Sequence, residues 1–163
     1  MFVIQTSQKS YRIVHPHTGN TYSVAEKLQE NLLRKGHSVS IEKIIALQDN
    51  QQDVQKIVLE RIPQISGYDA LIFGAPVRGF SLSPVMKAYI SQIPSLQQKK
   101  VVCYVTEFFP YPWMGGNQAI TQMTKICEAK NTKIIATGIV NWSRYRDKKI
   151  AVVVEEFSKL LSS

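Results

Sequence analysis

The chain has 163 residues, 44% hydrophobic and 20% charged, the proportions of a globular protein able to bury one core. No apolar run approaches the roughly 20 residues that span a bilayer, and Met1-Phe2-Val3-Ile4-Gln5 lacks the basic flank of a signal peptide, so no integral membrane segment and a cytoplasmic location are expected. Twenty Lys and Arg against twelve Asp and Glu give a net charge of +8, which fits an anionic ligand or an acidic partner; the basic residues form no helix-long stripe and no recognised module, so nucleic acid is not the expected partner.

Residues 1–10 read as an N-terminal extension ahead of one domain over 11–163. Tyr11-Arg12-Ile13-Val14 predicts a short strand that ends before Pro16. Val24, Leu28 and Leu32, four apart, predict a helix over 20–35, with Gly36 as its stop. Ser38 to Glu42 alternates polar and apolar residues, as an edge strand does. Val54, Ile57, Val58, Arg61 and Ile62 stand in helical register and predict a second helix over about residues 50–62, before Pro63. Ala70 to Phe73, Val101 to Val105 and Ile134 to Val140 are apolar runs, the last interrupted by Thr137 and Gly138; such runs mark strands buried on both faces. Helices are expected over 83–92, 116–129 and 147–161. Cys103 and Cys127 read as buried, inert thiols, with neither the number nor the spacing of a metal site or disulfide framework.

Five strands alternating with about five helices predict a doubly wound α/β domain. In such sheets ligands lie beyond the C-terminal ends of the strands, where the strand order reverses. That directs attention to the loops after Val14, Phe73 and Val105. The first, His15-Pro16-His17-Thr18-Gly19-Asn20-Thr21, opens the first helix, whose leading amides have no partner and suit a phosphate. Gly19 permits a tight turn, and the Thr18 and Thr21 hydroxyls are available donors; ordinary N-capping by Thr18 or Asn20 is the alternative. The chain carries neither G-x-x-x-x-G-K-[ST] nor G-x-G-x-x-G, which argues against a P-loop or a dinucleotide site. A phosphoacceptor receiver domain would want acidic residues where His15 to His17 stand.

Thr18-Gly19-Asn20-Thr21, after a strand and opening a helix, resembles the flavodoxin phosphate loop, [ST]-x-T-G-x-T. Gly74-Ala75-Pro76-Val77-Arg78-Gly79-Phe80 resembles that family's second flavin loop, and Thr106 to Gly116 its third. The resemblance implies a five-stranded parallel sheet in the order 2-1-3-4-5 with helices on both faces, as in the short-chain branch. It also implies non-covalent FMN. The phosphate would rest on His17, Thr18, Gly19, Asn20 and Thr21. The isoalloxazine would lie between Pro76, Val77, Arg78, Gly79 and Phe80 on one side and Thr106, Glu107, Phe108, Trp113, Gly115 and Gly116 on the other. Phe108, Phe109, Tyr111 and Trp113 crowd the third loop, and aromatic faces suit a flat apolar ring. The implied function is electron transfer, or a small flavin-dependent oxidoreductase acting on a quinone or similar acceptor, with a redox partner protein or small-molecule acceptor. No residue is required as acid, base or nucleophile, and Glu107 has no partner visible in the sequence.

Three features depart from the family, one being that Val77, Arg78 and Phe80 are the nearest residues where many members carry an aromatic covering the flavin. Pro16 takes the first hydroxyl position of the phosphate loop and removes two donors, which a protonated His17 can offset. The positive charge departs from the acidic character of classical flavodoxins. A charge roughly 8 Å from a flavin at an effective dielectric near 20 is worth about 2 kcal/mol, on the order of 90 mV upward for one electron. If Arg78 or the cluster Arg144-Tyr145-Arg146-Asp147-Lys148-Lys149 lies near the ring, two-electron reductase chemistry becomes more accessible. The alternative is a flavodoxin-like scaffold with weak or lost FMN binding, acting as an interaction module.

Overall fold

The computed structural model describes residues 9–15, 19–48 and 50–163. The elements, in chain order, are β1 (Ser10–His15), α1 (Asn20–Arg34), β2 (Ser38–Lys43), β3 (Ile45–Ala46), β4 (Leu59–Arg61), β5 (Ala70–Arg78), β6 (Ser81–Leu82), α2 (Pro84–Gln92), β7 (Lys100–Glu107), α3 (Gly116–Glu128), β8 (Ile134–Asn141) and α4 (Arg146–Ser162). The expected extension lies outside the described residues up to residue 8, and Ser10 is already part of β1.

The five long strands pair in the order β2-β1-β5-β7-β8, all in parallel, which is the expected 2-1-3-4-5 counted along the chain. Strands with no polar face take the centre because both their faces are covered by helices. On one face Leu71, Phe73, Val101, Cys103 and Val105 join a core completed by residues of α2 and α3. On the other, Ile13, Ile72, Val102 and Tyr104 pack with Val24, Leu28 and Leu32 of α1 and with Phe157 and Leu161 of α4. The two thiols are free and buried, as expected. They are also neighbours: a hydrogen bond with Cys127, and then burial, push the Cys103 thiol up from its ordinary range.

Two expectations fail. The segment 50–62 is not a helix; it holds one 3-10 turn, Val54–Lys56, and then β4, which pairs antiparallel with β3. The Asp53 carboxylate accepts the Gln55 N–H at 3.0 Å and starts that turn, but no apolar stripe sustains it. Ile57 is buried whereas Val58 and Ile62 are exposed, so the apolar residues do not share one face. The described residues therefore hold four α-helices, not about five.

The third long strand also runs past Phe73 to Arg78, so Gly74 to Arg78 are strand rather than loop. Gly74 keeps β5 close to β7, since a Cβ there would fall 2.1 to 2.5 Å from atoms of the Tyr104 ring. The buried Tyr104 hydroxyl in turn donates to the Thr21 carbonyl at 2.8 Å, linking β7 to the start of α1. Gly74→Ala should cost about 2 kcal/mol of stability through overpacking, and Tyr104→Phe about 1 kcal/mol through the lost hydrogen bond. Urea unfolding checks both, and a Gly74→Ala variant as stable as the parent would contradict this packing.

Candidate functional site

Because the long strands are parallel, β1, β5, β7 and β8 all end on one edge, and α1, α3 and α4 begin there. Pro16, His17 and Thr18 lie outside the described residues. Gly19 precedes α1 at φ 75°, with open space where a Cβ would stand. Among the described residues no side chain caps α1, and its first turn carries no acidic residue. Asn20 Oδ1 accepts a hydrogen bond from Arg146 Nε. Thr21 is buried, and its hydroxyl shares a 2.8 Å hydrogen bond with the Thr106 hydroxyl.

Pro76, Val77 and Arg78 form the end of β5, where Val77 pairs with Leu82 and Arg78 with Ser81. Gly79 and Phe80 are thus the two central residues of a tight hairpin, with φ 55° and 60°. Positive φ at both positions is the type I′ pattern, easy for glycine and unfavourable for a bulky residue. The exposed Phe80 ring stacks on Phe109, centroids 5.7 Å apart and planes 8° from parallel. The Ser81 hydroxyl and the Leu82 N–H donate to Gln122 Oε1 of α3 at 2.8 and 2.9 Å, which fixes the hairpin.

The third loop meets that hairpin through Gly115. A Cβ on Gly115 would lie 2.9 Å from Val77 Cγ1 and 3.0 Å from Phe80 Cα, and its φ is 121°. Phe108 meets Trp142 edge-on at 4.8 Å, while Tyr111 and Trp113 stack at 4.4 Å and 6°. Phe80, Phe108, Phe109, Tyr111 and Trp113 are all exposed, Trp113 by 71%. That concentration of aromatic surface at one edge is a ligand or partner signature.

Glu107 is buried at the end of β7. Its Oε2 accepts the Gly116 N–H at 2.9 Å, and its Oε1 accepts the Asn141 amide at 2.5 Å. The same Asn141 nitrogen donates to the Phe109 carbonyl at 2.9 Å, and Lys149 Nζ donates to Asn141 Oδ1 at 3.3 Å. Burial raises the Glu107 pKa above the ordinary carboxyl range, opposed by the Gly116 amide, Asn141 and the Lys149 charge. Gly116 has no room for a side chain, since its Cβ would sit 2.6 Å from Glu107 Oε1. The carboxyl without a visible partner thus has two direct donors, and Gly115 and Gly116 each have a packing reason.

Reading the sequence missed Asn141, and it placed Arg146 and Lys149 only in a basic cluster, without their contacts to Asn20 and Asn141. The signal was present in the topology: β8 is the neighbour of β7, so the residues after β8 fall on the same edge.

The family model described as a flavodoxin domain matches residues 13–109. No curated protein matches the chain. Among solved structures, an NADH:FMN oxidoreductase in its apo form superposes with a TM-score of 0.72 at 12% identity, covering 95% of this chain and 89% of that one. Two-electron-reduced Megasphaera elsdenii flavodoxin gives 0.61 at 18% identity, with coverage of 91% and 98%. A flavoprotein from Lactobacillus acidophilus NCFM in complex with FMN gives 0.57 at 14% identity, with 88% and 99%. At these identities the likeness is one of fold. No helix among the described residues is long and apolar enough to cross a membrane.

Glu107 yields a pH test. A carboxyl with a raised pKa makes the native state bind more protons than the unfolded chain above the ordinary Glu value of about 4.3. Its contribution to stability is therefore fully present below that value and falls as pH rises through the raised one. Glu107→Gln removes the titration. The stability of the parent relative to this variant, from urea unfolding across about pH 4 to 8, should decline with rising pH; a difference that rises would overturn the assignment.

Proposed function

The chain belongs to the flavodoxin family, and on that premise we propose that it binds FMN non-covalently and moves electrons, as a carrier or as a small oxidoreductase for a quinone or similar acceptor. One observation carries the reading. The exposed aromatic rings, the strained Gly79-Phe80 turn and the start of α1, which no described side chain caps, share a single edge of the sheet.

The residues present suit the group. Amides leading α1, with no carboxylate in the first turn and Arg146 beside Asn20, form a donor set for a phosphate dianion. Gly19, Asn20 and the preceding His17 and Thr18 would hold it. Phe80, Phe108 and Trp113 offer flat apolar surface to a ring, and Pro76 to Gly79 and Thr106 to Gly116 supply its flanks. When bound, FMN supplies the redox chemistry; the protein binds it, orients it and sets the local charge. The net charge of +8 favours an acidic redox partner.

The scaffold reading draws on one specific contact, the engagement of the Thr21 hydroxyl by Thr106. Adding FMN to the purified, flavin-free protein separates the two. Stoichiometric quenching of flavin fluorescence and co-elution of a yellow species support the redox reading. A protein that leaves FMN fluorescence unchanged is the scaffold. Arg78, half-buried at the end of β5 and without an ion-pair partner among the described residues, should then raise the midpoint potential of the bound flavin. Arg78→Ala should lower that potential by about 50 mV, measured by redox titration, and an unchanged potential would place its charge away from the ring.

A further inference from the structure

The geometry points to Arg146 as a positioning residue that makes this edge selective for a phosphorylated flavin over the same ring without its phosphate. The inference rests on the FMN reading above. Arg146 opens α4 and stands 126 positions from Asn20, yet its Nε donates to the Asn20 side chain. A guanidinium carries only donors, so the Asn20 atom that faces it is the carbonyl oxygen and not the amide nitrogen. That choice leaves the Asn20 NH2 free to donate, and among the described residues no acceptor takes it.

Asn20 is the first residue of α1, directly after Gly19 with its positive φ and open surroundings. One amide side chain, aligned by Arg146, therefore adds its donors to those of the helix start. The cation also stands behind them. Its other contact, Nη1 to Asp147 at 3.0 Å, is with a carboxylate whose side chain is 94% exposed, and water screens such a pair strongly. The remaining charge faces a helix start with no acidic residue in its first turn. A phosphate ester gains from both the aligned amide and the charge. The alcohol end of an unphosphorylated flavin gains little from either.

A simple brace between α1 and α4 would also use an Arg146–Asn20 bond, but it would not distinguish two ligands that differ only by a phosphate. Fluorescence-quenching titrations with FMN and with riboflavin, on the flavin-free full chain, make that distinction. Arg146→Ala should raise the Kd for FMN about tenfold, the order expected of one partly screened charge, and change the Kd for riboflavin less than about twofold. The salt dependence of FMN binding should flatten in the same variant. Arg146→Lys, which keeps the charge and loses the planar fork, should fall between the two. Thermal unfolding shows whether each variant remains folded. An unchanged FMN affinity, or equal weakening for both flavins in a folded variant, would overturn the proposal. A parent protein that binds riboflavin as tightly as FMN overturns the selectivity and leaves flavin binding standing. A parent that binds neither removes the FMN reading and this one with it.

Discussion

The chemically interesting edge depends on one buried carboxylate. Glu107 ends β7 and accepts both the first amide of α3 and the Asn141 side chain at the end of β8. A charge taken out of water at that depth is costly unless its lone pairs are met. Here a helix N-terminus meets one oxygen, and an amide that a lysine holds meets the other. The consequence is geometric. The chain between Glu107 and Gly116 is pinned at both ends by the same side chain, and again near its start by the bond from Asn141 to the Phe109 carbonyl. The third loop is thereby held open along the edge, with its rings presented outward.

That presentation is costly on both sides of the gap. Phe80 adopts a left-handed backbone that bulky residues avoid, and it does so to lie parallel to Phe109 on the opposite loop. Trp113 and Tyr111 stack on each other in water. A turn of Asn-Gly would make the same hairpin without strain. Local strain and exposed aromatic surface coincide at Phe80 and again at Tyr145, the residue before α4, and such coincidence belongs to sites rather than to scaffolding.

The sequence disclosed the layers and the edge well, because burial on both faces leaves its mark in each strand. Ala70 to Phe73 and Val101 to Val105 admit no other placement than the centre of a covered sheet. Local pattern misled where it was short. Val54, Ile57, Val58 and Ile62 fit helical spacing over little more than two turns, a length at which pairing of β3 with β4 and burial of Ile57 alone decide the outcome. Gly74 and Pro76 read as a loop because both usually end strands. Gly74 instead makes room for Tyr104, and Pro76 sits at the last paired position of β5 against β7. The contacts of Glu107 with Asn141, and of Asn20 with Arg146, join residues 34 and 126 apart, and nothing local announces them.

The start of α4 ties these observations together. Its first four residues carry three cations, Arg146, Lys148 and Lys149, against one acid, Asp147. That charge opposes the positive end of the helix's own dipole. The residue before it, Tyr145, is left-handed at φ 52° and provides no side-chain cap. Three local preferences are violated at one helix end, of which an Asp, Ser or Thr cap would satisfy two, the cap and the backbone. Yet two of the three cations are not loose: Arg146 is bound to Asn20 at the first loop, and Lys149 to Asn141 behind the third. The helix thus accepts an unfavourable terminus and delivers positive charge to the first and third loops of one edge. Anions at that edge would relieve the conflict, because the partner missing from this helix is negative charge.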